Sequence, residues 1–120
     1  MSDCCSYENG RQYDIAVVGA GSAGFSAAIT AAEAGARVAL IGHGTIGGTC
    51  VNVGCVPSKA LIRAMEAAHS SHAAQRFAGI TVTSGVTDWS AVQAQKTALV
   101  NALRDKKYEA LLPEYENIDY

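Results

Sequence analysis

The sequence predicts an α/β fold that opens with a strand–helix–strand unit, carries two further helices and has an incomplete sheet. Three observations predict it: a short apolar run that ends in glycine, an alanine-rich segment directly after it, and a second short apolar run beyond that segment. Buried parallel strands have such continuous apolar runs, and a helix is their usual connection. Because two or three strands do not complete a doubly wound sheet, we expect the N-terminal part of a larger domain.

The first strand is predicted over Tyr13–Val18, where an apolar run precedes a glycine. A helix follows over Ser22–Ala34, because alanine is the best helix former, and Gly35 ends it just beyond the C-cap. The second strand is predicted over Arg37–Ile41. Together these elements form a βαβ unit with a right-handed crossover.

The later elements are two helices and one or two short extended segments. Proline is favoured at the first helical position, so a helix is predicted over Pro57–His72. Asp88 is a suitable N-cap for a long helix through about Leu112, whose apolar residues recur at helical spacing. Ile80–Thr83 is predicted as a short strand or an extended loop, and Asn117–Tyr120 as the start of another strand.

Length and composition limit the function classes. A chain of 120 residues is about one domain, which we place at residues 13–120 behind a flexible polar tail at 1–12. Apolar residues make up 49% and charged residues 17%, which argues against disorder. The net charge of −2 without a basic stripe predicts no nucleic-acid partner. Without a secretory leader the chain is predicted to be cytoplasmic, and the uncharged run 15–32 is too rich in glycine and hydroxyl residues for a membrane span.

The glycines after the first strand form a candidate binding motif. Gly19, Gly21 and Gly24 fit G-x-G-x-x-G between a strand and a helix, the context that dinucleotide binding requires. They would permit the tight turn, the close approach of a pyrophosphate and the close helix–strand packing, respectively. The pyrophosphate would lie on the helix N-terminus. A purely structural glycine turn is the alternative.

The acidic residue that normally accompanies this motif is missing. A carboxylate about 20 residues further on usually binds a ribose hydroxyl. Residues 38–44 contain none, and Glu33 comes too early, on the helix. Either His43 and backbone groups bind the ribose, or the site prefers a 2′-phosphate. A solvated loop histidine is the alternative for His43.

Cys50 and Cys55 form a Cys-x-x-x-x-Cys pair. In a regular α-helix their Cα atoms would lie ~8.6 Å apart, whereas a disulfide needs less than ~7 Å. If they pair, the segment departs from a regular helix, and Gly54 is well placed to allow this. The positive end of the helix at Pro57 would stabilise a thiolate at Cys55. Two buried inert thiols, or a zinc site with too few ligands, are the alternatives.

Lys59 and two smaller clusters complete the candidates. Lys59 lies in a first helical turn, where the dipole disfavours a cation, so we interpret it as facing a thiolate or a cofactor rather than solvent alone. The adjacent Cys4 and Cys5 could capture a soft metal, or they belong to an incidental tail. His69 and His72, near a helix end, either complement the dipole or bind a metal.

The segment GGTCVNVGCVPSK, residues 47–59, resembles the class I flavin-dependent pyridine nucleotide-disulfide oxidoreductases. Within that family the chain is most similar to the mercuric reductases, through residues 45–46, 62–64 and 69, and 103–108. The resemblance covers nearly all of the chain from Tyr13 onward. It implies the start of a Rossmann-like FAD-binding domain that contains a redox-active disulfide.

The resemblance implies a role for each matching residue. Cys50 would be the outer thiol that meets substrate, and Cys55 the inner thiol that touches the flavin as a charge-transfer thiolate. Lys59 would lie near the reactive edge of the flavin. At Gly42 the chain departs from the family, which usually has an acidic residue there for the adenosine ribose. The residues that would bind FAD are Gly19, Gly21, Gly24, Gly44, Thr49 and Lys59.

The implied activity is the NADPH-dependent reduction of Hg(II) to Hg(0). Electrons would pass from NADPH through FAD to the Cys50–Cys55 disulfide, and the reduced pair would hold Hg(II) as substrate. NADPH would bind to a domain outside this chain, and the full-length protein would be a homodimer. A dihydrolipoamide dehydrogenase or glutathione reductase-type enzyme is one alternative, and a non-catalytic dithiol metal-binding module is another. The chain alone is expected to be inactive.

Overall fold

The computed structural model describes Gly10 and residues 12–120. Most of the predicted tail, including Cys4 and Cys5, therefore lies outside the described residues. Within the described part, three strands form a parallel sheet in the order β1–β2–β3. Their bounds are Ile15–Val18 for β1, Val38–Ile41 for β2 and Ile118–Asp119 for β3. The predicted α/β class, the incomplete sheet and the strand near the end of the sequence are confirmed.

Helix α1, Ser22–Glu33, connects β1 to β2 as predicted. It ends at Gly35, whose φ of +90° is a left-handed conformation that favours glycine. The Gly35 amide donates to the Ala32 carbonyl at 2.9 Å, and the Ala36 amide donates to the Ala31 carbonyl at 3.0 Å. These two bonds satisfy carbonyls at the helix end and turn the chain into β2.

The core lies between α1 and one face of the sheet. Phe25 and Ala28 of α1 are buried with Val38 and Leu40 of β2, the two strand residues that point to the same face. Ile41, on the opposite face of β2, is 50% exposed. The small alanine side chains of α1 allow the helix to lie close to the sheet, so the core is thin and depends on few large residues.

Two helices carry the cysteine segment. Helix α2 is Gly48–Asn52 and helix α3 is Cys55–Ala73. The predicted start of α3 at Pro57 is wrong, because the helix begins at Cys55 and its first backbone bond joins the Ser58 amide to the Gly54 carbonyl at 3.1 Å. Proline is tolerated within the first turn because amides there have no helical acceptor. Helix α2 is an element that the sequence did not predict.

Helix α4, Trp89–Arg104, begins where the sequence predicts. The Asp88 carboxylate caps it by accepting hydrogen bonds from the Ser90 hydroxyl at 2.6 Å and the Ala91 amide at 3.1 Å. These bonds, the one from Ser90 foremost, lower the pKa of Asp88 below its ordinary value. Ile80–Thr83 forms no strand and is the extended loop of the two predicted options.

The predicted continuation of this helix to Leu112 is wrong. After Arg104 the chain forms a π-helical turn over Asp105–Glu109, in which the Ala110 amide donates to the Asp105 carbonyl at 2.8 Å. The wider turn directs Tyr108 into the core, where its ring lies edge-on to Phe25 with centroids 4.9 Å apart. The helical spacing of apolar residues does not reveal a tertiary contact of this kind, so it could not predict where the helix ends.

Candidate functional site

The loop between β1 and α1 lies at the carboxyl end of the sheet. Gly19 has a φ of +113°, and its amide donates to the Ile41 carbonyl at 2.7 Å, so the ends of β1 and β2 are joined. A Cβ on Gly24 would lie 1.8 Å from the Gly19 carbonyl oxygen. Only glycine at position 24 therefore allows α1 to pack this closely on the loop.

The N-terminus of α1 can receive an anion. Gly21 is its N-cap, and within the described residues no side chain caps the helix and no acidic residue occupies its first turn. The amides of the first turn have no helical acceptor, and the helix dipole favours negative charge at this end. This uncapped, glycine-lined end fits the pyrophosphate of a dinucleotide.

A second glycine loop lies directly against the first. The Gly47 amide donates to the Ala20 carbonyl at 2.9 Å, and Gly47 forms a parallel bridge with Gly21. Gly48 has a φ of +70°, and a Cβ there would lie 2.8 Å from the Cα of Gly21. The backbones of the two loops are thus in contact, and α2, which carries Cys50, begins beside the N-terminus of α1.

The position of the missing acid is occupied by another side chain. A Cβ on Gly42 would lie 2.7 Å from the Tyr120 hydroxyl oxygen and 2.9 Å from the Cβ of Ala20. The Tyr120 ring therefore fills the space in which a side chain at position 42 would begin. His43 is exposed on the same loop.

A break between α2 and α3 brings the two cysteines together. Cys50 lies in α2 and Cys55 is the first residue of α3, so the segment departs from a regular helix, as pairing requires. Gly54 makes the break possible because the backbone approaches it closely, and not because of a positive φ. Its φ is −109°, but a Cβ would lie 2.9 Å from the Thr49 carbonyl oxygen and 3.2 Å from the Cα of Cys50. Glycine is needed here for close approach and not for a left-handed backbone.

The cysteines are free, exposed thiols that lie close to each other across the break between α2 and α3. The hydrogen bond with Cys55 is the main cause that raises the pKa of Cys50, while the positive charge of Lys59 acts in the opposite direction. Cys50 therefore keeps its proton to a higher pH than an ordinary cysteine. Cys55 lies at the positive end of α3, where the dipole favours an anion. Lys59 follows four residues later on the same helix and is exposed.

The other sequence-predicted residues fall into two groups. Gly44, with a φ of +77°, and Thr49, in α2, lie in the same loop and helix as the site. His69 and His72 lie towards the other end of α3, with ring centroids 6.3 Å apart. Within residues 12–120 no group of three or more His, Cys, Asp or Glu side chains could hold a metal ion. No helix in that part of the chain is long and apolar enough to cross a membrane.

Three residues that sequence reasoning assigned no role hold the site together. The Tyr108 hydroxyl lies 2.8 Å from the Ser22 hydroxyl at the start of α1. Asn52 hydrogen-bonds to the second glycine loop, and Arg104 hydrogen-bonds to Asn52. Arg104 and Tyr108 belong to a stretch of family resemblance, but no local pattern marks them, since their partners lie far away along the chain.

Known proteins resemble this chain in sequence. A family model described as pyridine nucleotide-disulphide oxidoreductase matches residues 13–115. The mercuric reductase of Streptomyces lividans is 50% identical over 103 residues, which are 86% of this chain and 22% of that protein. The mercuric reductase of Shigella flexneri is 52% identical over 98 residues, 82% of this chain and 17% of that protein. The chain thus spans about a fifth of the length of these relatives.

Solved structures show the same likeness. The Cu(II) complex of the HOCl-induced flavoprotein disulfide reductase RclA from Escherichia coli superposes with a TM-score of 0.63 at 34% identity, over 88% of this chain and 21% of that one. The family resemblance inferred from residues 47–59 is confirmed. Because the matched region holds both the glycine motif and the cysteine pair, this chain belongs to the pyridine nucleotide-disulphide oxidoreductase family.

Proposed function

We propose that this chain is the N-terminal part of the FAD-binding domain of an enzyme that reduces Hg(II) to Hg(0) with electrons from NADPH. The observation that carries the proposal is the close pair of exposed thiols Cys50 and Cys55, held next to an uncapped helix N-terminus by two contacting glycine loops. Such a pair would be a two-electron redox group beside a dinucleotide-type site. The similarity to several mercuric reductases supports the choice of substrate.

The glycine loops would bind the cofactor. Gly19, Gly21 and Gly24 leave the α1 amides open to the FAD pyrophosphate, and Gly44 and Thr49 would line the same site. When bound, FAD would accept two electrons from NADPH and transfer them to the thiol pair. Tyr120 limits what can occupy the ribose end, because its ring already fills the space beside position 42.

The two thiols would have different tasks. The raised pKa of Cys50 supports a state in which Cys50 keeps its proton. Cys55 at the start of α3 would be the inner thiolate, stabilised by the helix dipole, with Lys59 one turn further on. Cys50, on the short helix α2, would be the outer thiol that receives substrate.

Hg(II) suits this pair because soft thiolates select soft metals. Cys50 would lose its proton as it binds Hg(II), and Cys55 would bind the metal ion as the thiolate that it already is. The metal ion then accepts two electrons and leaves as Hg(0), and the sulfurs remain at the thiol level of oxidation. Overall, NADPH gives up a hydride equivalent, so NADP⁺ and one proton are formed for each Hg(II) reduced.

The complete enzyme requires parts beyond this chain. Its relatives are about five times longer, so we infer that the NADPH-binding domain lies outside residues 13–120. We further infer a cytoplasmic homodimer in which residues 13–120 are the start of the FAD domain, and an isolated chain without turnover.

A substrate comparison tests the proposed function. The full-length protein encoded by the gene for this chain is mixed with NADPH and, separately, with Hg(II) in excess thiol, oxidised glutathione or lipoamide. Hg(II) should drive NADPH oxidation and release volatile mercury, whereas the two disulfides should be poor substrates. The excess thiol keeps free Hg(II) from capping both cysteines. Efficient reduction of a disulfide with Hg(II) untouched would assign the enzyme to the disulfide reductases instead, and a protein that purifies without flavin would favour a dithiol binding module.

A further inference from the structure

The side chain of Asn52 fastens the cysteine-bearing helix α2 to the loop before it. Its amide nitrogen donates to the Ile46 carbonyl at 2.9 Å and to the Gly48 carbonyl at 3.0 Å. A third carbonyl, that of Thr45, lies at 3.4 Å. These bonds connect the last residue of α2 to the loop before the helix, so they hold both ends of the segment that contains Cys50.

Arg104 fixes the orientation of this amide. Its guanidinium donates to the Asn52 side-chain oxygen at 3.3 Å, and it is only 21% exposed. Arginine can only donate, so it selects the oxygen end of the amide and leaves the nitrogen for the loop carbonyls. Further bonds to Asn101 at 3.2 Å and to Glu109 at 3.2 Å hold the guanidinium in place.

The π-helical turn makes this arrangement possible. Arg104 and Glu109 are five residues apart, and in a regular α-helix such residues point about 140° away from each other. In the wider π-turn, the two side chains form an ion pair at 3.2 Å. The same turn buries Tyr108 against α1, so the end of α4 is anchored on both sides.

Helix α2 depends on such external contacts. It has five residues and no side-chain cap, and helices this short are not stable alone. Helix α3, which carries Cys55, has 19 residues. Loosening the contacts of α2 should therefore displace Cys50 while Cys55 stays in place.

We propose that Asn52 and Arg104 are positioning residues that hold Cys50 at the distance and angle needed to react with Cys55. They act through the placement of α2. The inference rests on the proposed redox role of the cysteine pair. It predicts that the equilibrium between the dithiol and the disulfide depends on a side-chain network whose two members lie 52 residues apart.

The test measures the dithiol–disulfide equilibrium of the full-length protein in mixtures of reduced and oxidised glutathione. Oxidised glutathione takes two electrons and two protons from Cys50 and Cys55 and becomes two molecules of reduced glutathione. The variants are Asn52→Asp, which keeps the acceptor for Arg104 but loses both donors, and Arg104→Met. Each should lower the equilibrium constant for the disulfide by roughly tenfold, a change within the range of interaction energies of residues that share one hydrogen-bond network. The double variant should lose little more, because both changes break one network.

Arg63→Met is the matched control. Arg63 also pairs with a carboxylate, Glu66 at 2.7 Å, but its side chain is 84% exposed and its partner is not a member of the Asn52–Arg104 network. The control should keep the wild-type constant. Variants that lose thermal stability with an unchanged constant, or a control that changes as much as they do, would overturn the proposal. The equilibrium constant can be measured without Hg(II). The result for Asn52 and Arg104 therefore does not depend on whether the wild-type protein reduces Hg(II).

Discussion

Replacing Cys50 by serine should reduce the rate of Hg(II) reduction by roughly a thousandfold or more, the scale of loss found when an essential reacting side chain is removed. Serine is close in size but offers a hard oxygen donor, which binds soft metals poorly. Cys55 and the glycine loops remain, so FAD should stay bound. Mercury release and flavin content, measured on the same full-length preparation, check both parts of this expectation.

The chain offers a matched control for the loss of thiols. The double variant Cys4→Ser/Cys5→Ser removes two cysteines at once and should leave turnover unchanged if that pair belongs to an incidental tail. Wild-type rates in Cys50→Ser would show that Cys50 is not the thiol that receives Hg(II). Loss of rate in the tail variant would instead assign metal handling to Cys4 and Cys5.

Gly24→Ala should abolish FAD binding and destabilise the fold by about 1–3 kcal/mol or more, the cost of forcing an extra group into a packed site. The added Cβ would lie 1.8 Å from the Gly19 carbonyl oxygen and 3.4 Å from a methyl carbon of Val17. Either α1 or the loop must move, and both belong to the proposed phosphate-binding end of the site. Flavin content and the midpoint of denaturant unfolding report the two effects.

Gly85→Ala is the control for this substitution. A Cβ on Gly85 meets nothing within 4 Å, and its backbone has no positive φ. It should therefore keep wild-type flavin content and stability. If Gly24→Ala keeps the flavin content and stability of Gly85→Ala, FAD binding does not require the close packing of α1 on the loop.

The elements that sequence reasoning located are those with local causes. The βαβ unit follows from two apolar runs and an alanine-rich segment, and the start of α4 follows from the capping chemistry of Asp88. Gly35 ends α1 because its left-handed conformation needs no distant partner. Within the site, the glycine motif and the cysteine pair were found from spacing alone.

The features that sequence reasoning missed depend on partners far along the chain. The end of α4 changes to a π-turn in which Tyr108 reaches Ser22, 86 positions away. Asn52 has no sequence signal because its importance comes from Arg104, 52 positions away. Gly42 marks a missing acid in the sequence, but only the fold shows that Tyr120 occupies the space.

A charge-transfer experiment tests whether Cys55 is the thiolate in contact with the flavin and Cys50 the outer thiol. The full-length protein is reduced by two electrons without oxygen, and its absorbance is recorded at wavelengths beyond the flavin bands. A long-wavelength charge-transfer band should form in the wild-type protein, persist in Cys50→Ser and disappear in Cys55→Ser. A band that survives in Cys55→Ser, or that is lost only in Cys50→Ser, would contradict the assignment.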